Sequence, residues 1–353
     1  MRRFARFLLP LSLALVCLAL FFGGCAGREN TSDFSFFAMD TVVTVRAKTA
    51  DPAAARRIEA LCRTTLDECE AALSAHADSP VSRFNRGEAD ELPLALNGIA
   101  GEAVRTSLAV MDATDSAFDC TLLPLARLWN VTGGGPRPSD DAIREALAHT
   151  GRDRFDFRPD RVTRLDPEAA LDFGGVGKGA AADLLVKRLT GDPSLGLEWA
   201  VVSLGGNVAL AGHKPDGPFR VGVRDPFDPA SQIGVLTLDG GFVSVSGSYE
   251  RFFEEGGVRY HHIFDGRTGY PAESGLVSAA VICENGALAD ALSTALFVMG
   301  RDRALALYAA GTFDFEAVLI AADGPVFLTP GLADRFEARA DVQADVLPLS
   351  NPE

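Results

Sequence analysis

Three clusters of residues in this chain have the types and spacing that chemistry requires. The first is Leu171-Asp172-Phe173-Gly174-Gly175-Val176-Gly177-Lys178-Gly179-Ala180-Ala181-Ala182-Asp183. Its glycines let the backbone approach a ligand closely, and the alanine-rich run behind them should be a helix whose first N–H groups face an anion. Lys178 adds a positive charge, and Asp172 stands at the edge. This is not a Walker A loop, because Gly179 follows Lys178 where a metal-binding Ser or Thr is needed. The same residues also make an ordinary strand-to-helix turn with a solvated lysine. The second cluster, residues 289–297, sets Asp290 and Thr294 four apart on one face of an apolar helix. Such groups are costly to bury alone. A hard cation such as Mg²⁺ would satisfy both, as would capping or back-bonding within the helix. The third cluster is Tyr260-His261-His262-Ile263-Phe264-Asp265-Gly266-Arg267-Thr268-Gly269-Tyr270-Pro271. In a strand the two histidines point to opposite faces, so only one can enter a given site. A histidine there suits a general base, because imidazole titrates near working pH. The plainer reading is a polar turn whose histidines bond to backbone groups.

The elements that must position these clusters follow from periodicity. Alternation predicts a strand over 34–45, and Ile58, Leu61, Leu66 and Leu73 predict a helix over 51–74. A polar loop over 78–85, a helix over 98–113, a Gly/Pro break at 133–138 and a short helix over 140–149 follow. Strands are expected at 199–203, 219–223, 234–238, 242–246, 259–264, 276–283 and 317–320, and helices at 285–298 and 302–310. This order predicts an α+β fold in one large domain, with mixed or antiparallel sheets flanked by helices.

Composition and the N-terminus bound the class. Arg2, Arg3 and Arg6 precede an apolar run, residues 7–22, that ends in Gly23-Gly24-Cys25. A basic segment, an apolar core and small residues before a cleavage point describe a secretory signal. The run is shorter than the ~20 residues of a spanning helix, and Pro10 interrupts it. Cys25 after two glycines resembles a bacterial lipoprotein box, with Phe22 where an aliphatic residue is usual. The expected organisation is a signal peptide over 1–24, a tether over 25–33 behind a lipidated Cys25, the main domain over 34–337 and a loose tail over 338–353. A processed leader or an uncleaved anchor alike puts the body outside the cytoplasm, at a membrane. With 47% apolar residues the chain can build a sizeable core, and a net charge of −15 argues against nucleic acid as a partner. Cys62, Cys69, Cys120 and Cys283 have neither zinc-site spacing nor a disulfide framework. Cys62 and Cys69 share a helix face but stand about 10 Å apart along the axis. Free thiols are expected, with a Cys120–Cys283 pair left open.

Several short motifs then fall in one order: Met39-Asp40-Thr41, Ser82-Arg83-Phe84-Asn85, Phe118-Asp119 with Pro124-Leu125 and Leu128-Trp129, and the glycine-rich turn. Leu204-Gly205-Gly206-Asn207, Gly222 with Asp225-Pro226, Ser246-Gly247-Ser248-Tyr249-Glu250, the run from His262 to Pro271 and Ala289 to Thr294 complete the series. In these the chain resembles the ApbE family of FAD:protein FMN transferases over nearly all its mature length. The resemblance implies that FAD is opened at its pyrophosphate with Mg²⁺, that FMN passes to a Thr or Ser hydroxyl of an acceptor protein, and that AMP leaves. It implies an FAD site lined by Met39, His76, Phe118, Asp119, Asp172, Lys178 and Phe264. Gly175 (through its carbonyl), Asp290, Ser293 and Thr294 would hold the metal, and His262 would take the acceptor's proton. The acceptor would be a subunit of a membrane redox complex, met at the periplasmic face. Two positions depart from the family pattern: His76 stands where an aromatic residue stacks, and Gly266 replaces a proline, which should loosen that turn. The alternatives are a Mg²⁺-dependent FAD pyrophosphatase, in which water attacks, and a flavin-binding lipoprotein without catalysis.

Overall fold

The computed structural model describes residues 31–348 except 50, 52 and 96; the leader and Cys25 lie outside these. The stretch expected as one strand over 34–45 is a hairpin. Met39 and Asp40 both take left-handed backbone angles (φ 51° and 57°) and reverse the chain between Thr31–Ala38 and Thr41–Thr49. A two-residue turn with positive φ at both positions matches the twist of antiparallel strands. That hairpin forms one end of a nine-stranded sheet, which continues through Leu197–Leu204, Asn207–Gly212, Gly241–Gly247, Leu276–Cys283, Glu316–Ala321, Val326–Leu328 and Ala344–Val346. Neighbours are antiparallel except the last pair, which is parallel. The C-terminal residues are thus not a loose tail as far as residue 348. Ala344–Val346 extends the main sheet, and Phe336–Ala338 pairs with Gln232–Leu238. Strands of three residues carry too few alternations to register as a period.

Each face of the sheet is buried by a different layer. On one side, Val43, Val45, Val202, Ala209 and Val281 meet the helices Ala54–Leu73, Ile99–Ala113, Gly177–Gly191 and Gly286–Ala310. On the other, Leu210, Val243, Ile282 and Ile320 meet the three-stranded sheet of Phe219–Arg224, Gln232–Leu238 and Phe336–Ala338. A small third core holds Leu125, Trp129, Val131, Ile143, Phe253 and Phe264. It gathers the Leu123–Trp129 and Asp140–Ala148 helices against the hairpin of Phe252–Glu255 and Val258–His261. The Leu123–Trp129 helix is too short to show a period, and the loop expected over 78–85 contains the helix Pro80–Asn85. Ser79 and Ser82 close a capping box at its start, with Pro80 inside the first turn. The two helices expected over 285–298 and 302–310 run together as Gly286–Ala310 with a break at Gly300 (φ 76°), where a Cβ would stand 2.8 Å from the Ser274 carbonyl oxygen. Cys62, Cys69, Cys120 and Cys283 are all buried and free, so Cys120 and Cys283 do not pair. Cys120 instead lies 3.8 Å from the Met111 sulfur. Burial pushes the Cys62 and Cys69 thiols up to about 12.

The helices Gly177–Gly191 and Gly286–Ala310 touch at their first turns through two glycines. A Cβ on Gly179 would stand 2.0 Å from the Gly286 carbonyl oxygen, and one on Gly286 2.7 Å from that of Gly179. Each helix also satisfies the other's unpaired N–H groups. Asp290 accepts from Gly179 N–H at 2.9 Å, while Asp183 accepts from Gly286 and Ala287 N–H at 2.7 and 2.8 Å. Gly179→Ala should force these backbones apart, at the cost of about 1–3 kcal/mol typical of overpacking. The expected result is a fall of several degrees in the midpoint of thermal unfolding; an unchanged midpoint would show that the crossing is not close-packed.

Candidate active site

A cleft of about 460 Å³ opens where the glycine-rich turn, the Met39–Asp40 hairpin turn and the His262 segment converge, within the usual size of ligand sites. Met39 is held in its left-handed turn by a 2.9 Å hydrogen bond from its N–H to Glu70, on the neighbouring helix. His76 lies exposed just past the end of that helix, where the Ser74 hydroxyl accepts its N–H. Phe118 and Asp119 come next along the wall. Burial raises the Asp119 pKa, against two hydrogen bonds that Asp119 accepts from Thr121. Asp172 donates its N–H to Cys120 and accepts the Gly174 N–H, which ties the glycine-rich turn to the Phe118 segment. Lys178 reaches back to the Gly174 carbonyl at 3.1 Å. Every residue expected to contact the flavin nucleotide, Met39, His76, Phe118, Asp119, Asp172, Lys178 and Phe264, lines this one cleft.

The expected metal residues divide. Gly175, Asp290 and Thr294 line the cleft. A Cβ on Gly175 would lie 3.6 Å from the Thr294 hydroxyl, so the two come from separate elements to one point. A continuous helix would direct the Gly179 N–H at the Gly175 carbonyl; it goes to Asp290 instead, which leaves that carbonyl oxygen for another partner. Asp290 is held by Asn207 Nδ2 at 3.1 Å and by the Ser244 hydroxyl at 3.2 Å. Thr294 shares a hydrogen bond of 3.1 Å with Ser246. Ser293 does not line the cleft. It is fully buried, donating to the Asp290 carbonyl at 2.8 Å and bonded to the hydroxyl of Ser246. A carboxylate, a hydroxyl and a free carbonyl are hard oxygen donors of the kind Mg²⁺ prefers. Among the described residues no cluster of three or more His, Cys, Asp or Glu side chains forms a metal cage. These donors therefore suit a cation that shares its shell with a phosphorylated ligand. Asn207, Ser244, Ser246, Glu70 and Arg251 were not singled out as site residues from the sequence. The signals available were short: a Gly-Gly-Asn turn and alternate serines on one strand.

The two histidines part, with the strand expected over 259–264 running only from Val258 to His261 and His262 in the bend that follows. His261 turns inward, bonded through Nε2 to the Ala272 carbonyl at 3.1 Å and edge-on to Phe297. His262 lines the cleft, and its Nδ1 lies 3.2 Å from the Arg251 carbonyl. A carbonyl only accepts, so Nδ1 carries the proton and Nε2 is the free base. Burial, with the Arg251 charge second, pushes the His262 pKa down to about 4, so the ring is neutral at neutral pH. The turn after it, with Gly266 in it, is tied by side chains. Arg267 grips Asp265 in a fork (3.0 and 2.8 Å), and the Gly269 carbonyl accepts from Trp129 Nε1 at 2.8 Å.

This constellation can be compared with known proteins. A family model described as the ApbE family matches residues 39–319. The chain belongs to the ApbE family. It is 31% identical to the FAD:protein FMN transferase of Treponema pallidum (strain Nichols) over 351 residues, which span 91% of this chain and 93% of that protein. It is also 31% identical to the FAD:protein FMN transferase of Escherichia coli (strain K12), across 83% of this chain and 87% of that one. Among solved ApbE structures, the flavin transferase of Vibrio cholerae aligns with a TM-score of 0.75 at 25% identity, covering 86% of this chain and 99% of its own. The ApbE protein of Thermotoga maritima aligns with a TM-score of 0.74 at 31% identity, covering 84% and 96%. The α+β architecture is that of the family.

The lowered His262 pKa has a measurable sign. Between about 4 and the ordinary imidazole value of ~6.5 the unfolded chain binds more protons at this site, so His262 alone makes stability rise with pH across that window. Asp183 opposes it: burial pushes its pKa up to about 6, so its contribution falls as pH rises toward that value. Replacing His262 with Gln should remove only the first effect. Chemical denaturation at pH 4.5 and 7.5 should show the variant gaining on wild type at the lower pH; an equal difference at both would mean that His262 is not held neutral.

Proposed function

We propose that this protein transfers FMN from FAD to a Thr or Ser hydroxyl of an acceptor protein, releasing AMP, with Mg²⁺ required. The observation that carries the reading is the meeting, in one cleft, of a neutral His262 with a bare Nε2 and the oxygen donors Asp290, Thr294 and Gly175. The relatives' activity and the shared family support it.

The division of labour follows from the contacts. Met39, Phe118, Phe264 and His76 offer apolar and π surface for flavin and adenine, while Lys178 and the glycine-rich turn face the diphosphate. Asp290, Thr294 and the Gly175 carbonyl would hold Mg²⁺, which when bound neutralises diphosphate charge and eases the departure of AMP. Asn207 and Ser244 hold the Asp290 carboxylate in place before any ligand arrives. His262 Nε2 takes the acceptor's hydroxyl proton as that oxygen forms its bond to the FMN phosphorus and the bond to AMP breaks. The Arg251 carbonyl keeps the imidazole in the tautomer this demands. The basic-then-apolar leader ending at Cys25 supports work at the outer face of a bacterial membrane, through a lipid anchor.

Incubation with FAD, Mg²⁺ and a flavin-requiring membrane-protein fragment should place fluorescent FMN on that fragment in a denaturing gel. Free FMN and AMP without labelling would overturn the transferase reading in favour of hydrolysis. His262→Ala should lower labelling by about 10²–10⁴-fold, the usual contribution of a general base, with FAD binding retained. Asp290→Ala should abolish both labelling and release of AMP.

A further inference from the structure

Resting on that reading, we infer that Arg251 is a second catalytic residue, whose guanidinium binds the non-bridging oxygens of the FMN phosphate during transfer. Arg251 lies between the strands Gly241–Gly247 and Phe252–Glu255 and lines the cleft beside His262. Its own carbonyl accepts from both the His262 N–H and the His262 ring, each at 3.2 Å, so the two side chains leave paired stretches of backbone.

The charges in the cleft call for such a group. Six carboxylates, Asp40, Glu70, Asp119, Asp172, Glu250 and Asp290, face two cationic side chains, Lys178 and Arg251. A diphosphate adds negative charge to an already acidic cleft. Lys178 already gives one of its three N–H donors to the Gly174 carbonyl on its own turn. Glu250, adjacent in sequence, is engaged by Arg224 at 3.3 Å rather than by Arg251. Among the described residues no salt bridge holds the Arg251 guanidinium, and its donor fork matches a phosphate's paired oxygens.

In the step itself the acceptor oxygen bonds to phosphorus while the bond to the AMP oxygen breaks. The electron pair leaves with AMP, and the hydroxyl proton goes to His262. Charge shifts among the phosphate oxygens as this happens, and a cation beside them lowers the barrier. The same cation disfavours imidazolium, so Arg251 also keeps the neighbouring base free.

The test uses the full chain with FAD, Mg²⁺ and an acceptor fragment carrying a flavinylation threonine. Single-turnover labelling is read by in-gel fluorescence, and FAD affinity by flavin quenching. Arg251→Gln should lower kcat by about 10²–10³-fold with KM for FAD changed only a few-fold. The acidic limb of its pH profile should move to higher pH. Arg251→Lys should recover part of the rate, because it keeps the charge and loses the fork. Equal thermal midpoints check that both variants fold. Unchanged kcat, a loss confined to FAD affinity, or a raised KM for the acceptor alone would each overturn the inference. Labelling by wild type and Arg251→Gln alike overturns this inference only, whereas no labelling by wild type overturns the transferase reading beneath it.

Discussion

The reciprocal capping of two helices is the constraint on which the rest of this molecule depends. Gly179 and Gly286 bring the two first turns into backbone contact, and Asp290 and Asp183 each accept N–H groups from the opposite helix. Leaving those donors unpaired in a buried place would cost about 1–3 kcal/mol apiece. One of the two carboxylates is also a cleft residue. The bond that fixes the helix crossing therefore also frees the Gly175 carbonyl, by drawing away the N–H that would otherwise point at it. Structural capping and the oxygen donors of the cleft are the same arrangement.

Around that junction the site is assembled from parts of the chain far apart in sequence. The hairpin turn at Met39 and Asp40, the Phe118 segment, the glycine-rich turn, the serines of Gly241–Gly247 and the His262 segment meet only because the sheet brings their ends together. The serine-bearing strand lies beneath the Gly286–Ala310 helix, so Ser244 and Ser246 reach Asp290 and Thr294 from below. A site supported from behind in this way keeps its geometry without a ligand, which lowers the ordering cost when one binds.

What could be read from the sequence was what depends on local spacing. Asp290 and Thr294 four apart and a glycine run before an alanine-rich helix each have a fixed local geometry, and both appear as expected; the strand expected over 259–264 stops at His261, which leaves His262 in the bend after it. Contacts across the sheet were not legible. The resemblance implies Ser293 as a ligand, yet its buried hydroxyl is taken up by the Asp290 carbonyl and by Ser246, and Ser293 does not line the cleft. The hairpin at Met39 was hidden because neither turn residue is glycine, the usual signal for two consecutive positive φ angles. Asn207 and Ser244 look like ordinary strand residues until the fold brings the Asp290 carboxylate against both. The C-terminal strands were missed because three residues of pairing leave no period to read.

His262 sits on a seam. Ile263, next to it, belongs to the main helical core, and Phe264 belongs to the small core around Trp129. The imidazole thus rides on the line where the two cores meet, whereas Asp290 lies on a helix inside the larger one. Segments with few buried apolar contacts open more readily than a large core. Warming should therefore spoil the aim of the base while the oxygen donors stay in place, so that FAD is still captured after transfer has stopped.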